Sequence, residues 1–185
     1  MYGRFQIKSP TARYGQGLKA VLDGFALERR EAVLAANRAY AALGVRYALC
    51  GGLAAGAHGD PRETKDIDFL VGDEAFERTG LIVSFRLPMP LRAGSVAIDP
   101  IPLPEAPERH AFLDEALAAP VIDRTTSEDV PLLPATALAY MKLASPRGKD
   151  RSDIVGMMRA GNVDLAALRA AVARDDELGT RLREA

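Results

Sequence analysis

Two aspartates flank one apolar residue in Asp66-Ile67-Asp68, with thirteen residues intervening between them and the glycine pair Gly51-Gly52. Residues of these types, in this order, suit a site for a divalent cation and phosphate. Side chains alternate along a strand, so Asp66 and Asp68 are expected to project together while Ile67, Phe69 and Val71 face the core. Two carboxylates so close on an apolar strand repel each other and are costly to desolvate unless a cation or hydrogen bonds neutralise them. Mg2+ suits such a pair because it accepts one or two carboxylates and fills its octahedron with water and substrate phosphate oxygens. A calcium loop does not fit, since Leu70 and Val71 stand where a further oxygen ligand and a glycine would follow. A solvated strand end is the plain alternative.

Gly51-Gly52-Leu53-Ala54-Ala55-Gly56 lacks the middle spacing of a dinucleotide fingerprint, and no lysine lies between Gly51 and Lys65 to make a P-loop. Two readings remain: a strand-turn-helix that admits phosphate to backbone amides, or a plain tight turn. Asp99 closes the run Val96-Ala97-Ile98-Asp99 and is expected beside the pair on a neighbouring strand. There it would complete a carboxylate triad and orient or deprotonate an attacking hydroxyl, although Pro100 after it equally fits a turn. Arg62 and Thr64, just before the aspartates, would hydrogen-bond phosphate or position the strand. Lys142 falls on a predicted helix, where a surface lysine is the ordinary case. Asp150 and Asp153 share a helix face at i, i+3 and are secondary candidates, since acids in a first helical turn are favoured in any case. His58 and His110 have no paired ligand at metal spacing, and Cys50 reads as a small buried residue.

These residues need elements to hold them. Leu18, Val21, Leu22 and Phe25 recur at helical spacing, and Val33, Leu34, Asn37, Tyr40 and Ala41 trace a second stripe that Gly44 stops. Tyr47 to Cys50 predicts a strand, Leu53 to His58 a short helix and Ile67 to Val71 the next strand. Leu81 to Phe85 and Ser95 to Asp99 have strand composition and are expected to extend the same sheet, with Val121 to Arg124 as one more strand. Six prolines between Pro88 and Pro107 predict loop with an edge strand. From Pro134 onward the pattern is helical, over Ala135 to Ala144, Arg151 to Arg159 and Leu165 to Ala173. The expected fold class is α+β, a small mixed β-sheet flanked by helices with a helical C-terminal third. The expected divisions are an arm over 1–16, a core over 17–130 and a helical segment over 131–185 packed on that core.

With 185 residues, 48% hydrophobic and 26% charged, the chain has the makings of an ordinary globular domain. A net charge of -1 gives no general attraction to nucleic acid or anionic membrane, so a polynucleotide would have to be gripped locally. The single cysteine excludes an intrachain disulfide framework. Without a signal pattern or a long uncharged apolar run, the cytoplasm is the expected location, with no membrane partner.

Tyr47-Ala48-Leu49-Cys50-Gly51-Gly52, followed by His58-Gly59-Asp60-Pro61-Arg62-Glu63-Thr64-Lys65-Asp66-Ile67-Asp68-Phe69-Leu70, resembles the nucleotidyltransferase fold of AbiEii-type toxins and their small bacterial relatives. Leu138 to Ala144 and Lys149-Asp150-Arg151-Ser152-Asp153 resemble the helix and the Lys-Asp-x-x-Asp segment of that group. The resemblance implies Asp66 and Asp68 as metal ligands with Asp99 as a third, Gly51 and Gly52 at the nucleotide phosphates, and Lys142 facing the triphosphate. It further implies Mg2+-dependent transfer of a nucleoside monophosphate from an NTP to an acceptor hydroxyl, on a tRNA end, a protein or a small molecule. An antitoxin protein would be a partner. The competing expectation is a non-catalytic nucleotide- or partner-binding module that keeps the fold.

Overall fold

The computed structural model describes residues 17–59, 61–145, 147–175 and 177–178. The expected arm, 1–16, and the end of the expected helical segment, 179–185, lie outside the described residues, as do Asp60 and Pro146. The elements run α1 (Gly17–Asp23), α2 (Leu27–Leu43), β1 (Tyr47–Leu49), α3 (Gly51–His58), β2 (Asp68–Val71), a 3-10 turn (Asp73–Ala75), β3 (Phe76–Thr79), β4 (Ile82–Phe85), β5 (Arg92–Ala93), β6 (Val96–Ala97) and β7 (Asp99–Pro102). They continue through α4 (Pro107–Ala118), β8 (Val121–Asp123), β9 (Val130–Leu132), α5 (Ala135–Leu143), α6 (Gly148–Arg159) and α7 (Leu165–Arg174). The chain is an α+β protein built on a small mixed sheet of order β7-β2-β1-β9-β8. Within it β1 runs antiparallel to β2 and parallel to β9, and β7 runs parallel to β2.

Alternation along the strands makes a three-layer molecule. Leu49, Ile67, Phe69, Val71 and Leu132 turn to one side and bury against α1 and α2. Ala48, Cys50, Leu70 and Leu133 turn to the other and bury against α4, α5, α6 and α7. Both faces of the central strands are therefore covered. Within β2, Asp68 alone is not fully buried. Gly44 stops α2 as expected, in the left-handed region at φ 68°, with its N–H bonded to the Ala41 carbonyl.

The expectation that Leu81 to Phe85 and Ser95 to Asp99 extend the central sheet is overturned in most of its extent. Among the described residues, β3 and β4 pair only with each other, across a two-residue turn in which Gly80 has φ 61°. All four residues of β4 are exposed and in β3 Phe76 alone is buried, so no continuous buried face draws this hairpin onto the sheet. β5 and β6 form a second separate pair. Asp99 does not end the preceding strand; it begins β7, the edge strand anticipated among the prolines. The expected boundary between 130 and 131 falls inside β9, next to β1 in the sheet.

Asp175 ties α4 to the C-terminal helices. It accepts from Arg109 Nε at 2.5 Å and from the Tyr140 hydroxyl at 2.7 Å, and it is 5% exposed. Burial pushes its carboxyl upward, but Arg109, the Leu178 N–H and Tyr140 together hold it down at about 2. Its folded-state value lies below the ordinary 3.8, so its stabilisation is present above that pH and is lost as pH falls through about 2. Asp175→Asn is expected to cost about 2 kcal/mol at pH 7 and to flatten the stability profile between pH 4 and 2, measured by urea unfolding.

Candidate functional site

The sheet pairing delivers the glycines and the acids to one place. β1 ends at Leu49, and the Cys50 N–H donates to the Asp68 carbonyl at 2.8 Å, carrying the β1/β2 ladder to the start of α3. Gly51, the first residue of α3, has φ 62°, and a Cβ there would stand 1.8 Å from Asp68 Oδ2. Only glycine admits the Asp68 carboxylate to that turn. A Cβ on Gly52 would stand 2.9 Å from the Thr64 side chain and 3.2 Å from Arg62 Nη2. The glycine pair thus serves close packing on the segment that leads to the aspartates.

A cleft of about 150 Å3 opens here, lined by Gly51, Gly52, Arg62, Thr64, Asp66, Asp68, Lys142, Ser145, Arg147, Lys149 and Asp150, with Cys50, Ile101, Leu138 and Met141. Asp66 is exposed in the lead-in to β2, and not on the strand itself. Asp68 is half-buried at the strand's first position. Asp99 is its register partner on β7, and the Asp99 N–H donates to the Ile67 carbonyl at 2.9 Å. Register partners in a parallel pair share a face, so Asp99 stands beside Asp68 on the next strand; it is exposed and does not line the cleft. Among the described residues, no three His, Cys, Asp or Glu side chains converge closely enough to hold a metal ion unaided.

Burial raises the Asp68 carboxyl to about 6, with Asp66 and then Asp99 adding repulsion and Lys142 and Lys149 opposing it. A carboxyl in this condition gains most from a neutralising cation. Asp66 and Asp68 fit magnesium in the sense that two carboxylates with water and phosphate oxygens complete its preferred shell.

Lys142 is buried. Its Nζ lies 2.9 Å from Asp150 Oδ1 and 2.7 Å from Asp153 Oδ2, and its side chain is 7% exposed. Arg62 clamps the same Asp153, donating from Nε at 2.5 Å and Nη2 at 2.7 Å. Burial pushes both Asp153 and Asp150 upward, yet their partners hold both below the usual carboxylate range: Arg62 and Lys142 for the first, Ser145 and Lys142 for the second. Lys149, by contrast, reaches the cleft wall with no ion pair among the described residues. Residue types and spacing did not single out Ser145, Arg147 or Lys149, and the only signal for the last was its place in the Lys-Asp-x-x-Asp segment.

Both histidines bond within the fold. His58 Nε2 donates to the Leu133 carbonyl at 2.9 Å, and His110 pairs with Asp73 at 2.6 Å. Burial raises the Cys50 thiol, with the Asp68 charge next. Among the described residues, no helix is long and apolar enough to cross a membrane.

No protein-family model matches the chain, and no curated protein matches it. Among solved structures it is similar to an antigenic nucleotidyltransferase-like protein from Paracoccidioides brasiliensis, at 18% identity over 92% of each chain, with a TM-score of 0.46. At that similarity the neighbour says nothing of the site, which rests on its own side chains.

The folded-state value of Asp68 lies above the ordinary 3.8, so its ionisation opposes folding; the protonated group's contribution is full below that pH and is lost as pH rises through about 6. Asp68→Asn in metal-free buffer is expected to raise stability at pH 8 by about 1 to 2 kcal/mol after allowance for its partial exposure, with little effect at pH 4. Thermal unfolding at the two pH values measures this.

Proposed function

We propose that the chain is a magnesium-dependent nucleotidyltransferase that moves a nucleoside monophosphate from an NTP to an acceptor hydroxyl. The observation that carries this reading is the register of Asp99 with Asp68, which gathers acids from two strands beside a glycine turn that admits the Asp68 carboxylate. Asp66 and Asp68 would hold the ion, whose chemistry is to neutralise charge on the phosphates and favour the ionised acceptor. In the transfer the acceptor oxygen bonds to the α-phosphorus as the bond to the β-bridging oxygen breaks. Pyrophosphate leaves with that electron pair, and the acceptor proton passes to Asp99 or to water. No protein nucleophile is needed; positioning and electrostatics carry the rate.

The cleft's own cations divide the remaining work. Lys142, committed to Asp150 and Asp153, holds the Arg62 clamp in place, while Lys149 and Arg147 at the wall meet the triphosphate. Resemblance of residues 47–70 to AbiEii-type toxins supports the finer reading that the protein is the toxin of a pair held in check by an antitoxin protein. A second reading, a nucleotide-binding module without turnover, is favoured by the absence of three converged ligands among the described residues.

Calorimetric titration of each NTP with and without Mg2+ tests the reading. Mg2+-dependent binding is expected in the wild type and lost in the Asp66→Ala/Asp68→Ala double variant; a well-folded wild type that binds no NTP overturns it. Binding that persists with no transfer to any acceptor supports the module.

The division between the lysines has its own signature. Lys149→Ala is expected to weaken NTP binding about tenfold while the melting temperature stays put. Lys142→Ala is expected to cost about 3 to 5 kcal/mol of stability by leaving buried carboxylates unpaired. Equal losses of stability in both variants would contradict that division.

A further inference from the structure

A second cleft of about 690 Å3 adjoins the first, between the end of α1 and the segment leading into β2. The two share Arg62, Thr64, Asp66 and Lys149, so they meet beside the acids. Their sizes suit different guests. The smaller, at about 150 Å3, has room for phosphate and an ion, whereas the larger falls within the roughly 300 to 1,000 Å3 of organic-ligand sites.

The lining of the larger cleft is selective. Its floor is apolar, with Val21 and Phe25, and the Arg29 guanidinium lies over the Phe25 ring at 5.1 Å from the centroid. Arg29 Nη1 also donates to the Thr64 carbonyl at 2.5 Å, which fixes the guanidinium as a flat cationic platform. Such a platform receives the face of another ring by stacking and cation-π attraction. Lys65 and Lys149 add two further positive groups, neither in an ion pair among the described residues. Glu63 and Asp66 are the acids of the wall, and Arg62 is already neutralised by Asp153. Cations thus outnumber acids, and Asp66 is the acid assigned above to the ion.

We propose that this cleft is the acceptor site, and that its acceptor joins a flat ring to an anionic group and presents a hydroxyl toward Asp66. A nucleotide, free or terminal on a strand, has this chemistry, and a polycationic small molecule does not. The acceptor role rests on the transfer reading given above; the ligand class rests on the cleft alone. The ring stacks at Phe25 and Arg29, the anionic group meets Lys65 and Lys149, and the hydroxyl oxygen makes the bond to the α-phosphorus as pyrophosphate departs.

The test is calorimetric titration of AMP, of a hexameric oligoadenylate with a free 3′-hydroxyl, and of an aminoglycoside into the full chain. The same titrations are run on Phe25→Ala and Lys65→Glu, with Mg2+ and ATP titrated in parallel and circular dichroism as a folding check. AMP or the hexamer is expected to bind, each variant weakening it about tenfold while Mg2+-dependent ATP binding is kept. Binding by AMP shows that a free nucleotide suffices, and binding by the hexamer alone points to a strand end; either supports the proposal. Tighter binding of the aminoglycoside, or nucleotide binding unmoved in well-folded Phe25→Ala and Lys65→Glu, overturns it. Should wild type bind AMP at this cleft yet bind no ATP with Mg2+, the transfer reading and the acceptor role fall while the ligand class stands.

Discussion

One buried chain of charges fixes the site: Arg62 to Asp153, Asp153 to Lys142, and Lys142 to Asp150. Lys142, Asp150 and Asp153 are each 7% exposed or less at the side chain. Removing such charges from water costs several kcal/mol per ion, which mutual attraction offsets only when the geometry is good and the remaining oxygens are bonded. Here they are: Arg62 approaches Asp153 with two nitrogens, and the Ser145 hydroxyl donates to Asp150 Oδ2 at 2.6 Å. The gain lies in position more than in net stability. The network fastens the segment carrying Arg62, Thr64 and Asp66 to α5 and α6, two elements far along the chain.

That commitment also sorts the acids. Asp150 and Asp153 are matched by cations and held ionised, so their charge is spent inside the protein. Among the described residues, Asp66, Asp68 and Asp99 are in no ion pair, and Asp68 bears burial and repulsion that Lys142 and Lys149 only partly oppose. Arg147 and Lys149 line the same cleft and add cations for phosphate, Arg147 with its Nε already 3.2 Å from Ser145 Oγ and 3.5 Å from Asp150 Oδ2.

Local patterns carried α1, α2, the Gly44 stop, β1, β2, β8 and the helices α5 to α7, because each has its own period or breaker within a few residues. α4 was not legible: Pro107 was counted with the loop prolines, yet it occupies the first turn of the helix, where a missing N–H costs nothing. β9, a three-residue strand with Pro131 at its middle, has too few residues to show alternation. At the site, Gly51, Gly52, Asp66 and Asp68 were legible because a turn and a strand lead-in are local features. The burial of Lys142 was not, since it follows from packing α5 against α6 and from an arginine about eighty residues upstream. A lysine on a helix reads the same whether it meets solvent or two carboxylates.

The proline-rich stretch shows how a feature that argues against a strand can define one. β7 alternates Asp99, Pro100, Ile101 and Pro102, and its pairing to β2 uses the Asp99 N–H. In a parallel ladder, residues two apart bond to the same neighbour, so Asp99 and Ile101 bond inward to β2 while the nitrogens of Pro100 and Pro102 face outward. Those outward positions have no N–H to offer, so the edge cannot readily template another strand. The sheet therefore ends at β7, and Asp99 stays at an open edge, in register with Asp68. A residue with an N–H at either proline would leave that edge able to pair, and a strand added there would crowd the one acid of the three that the cleft does not already enclose.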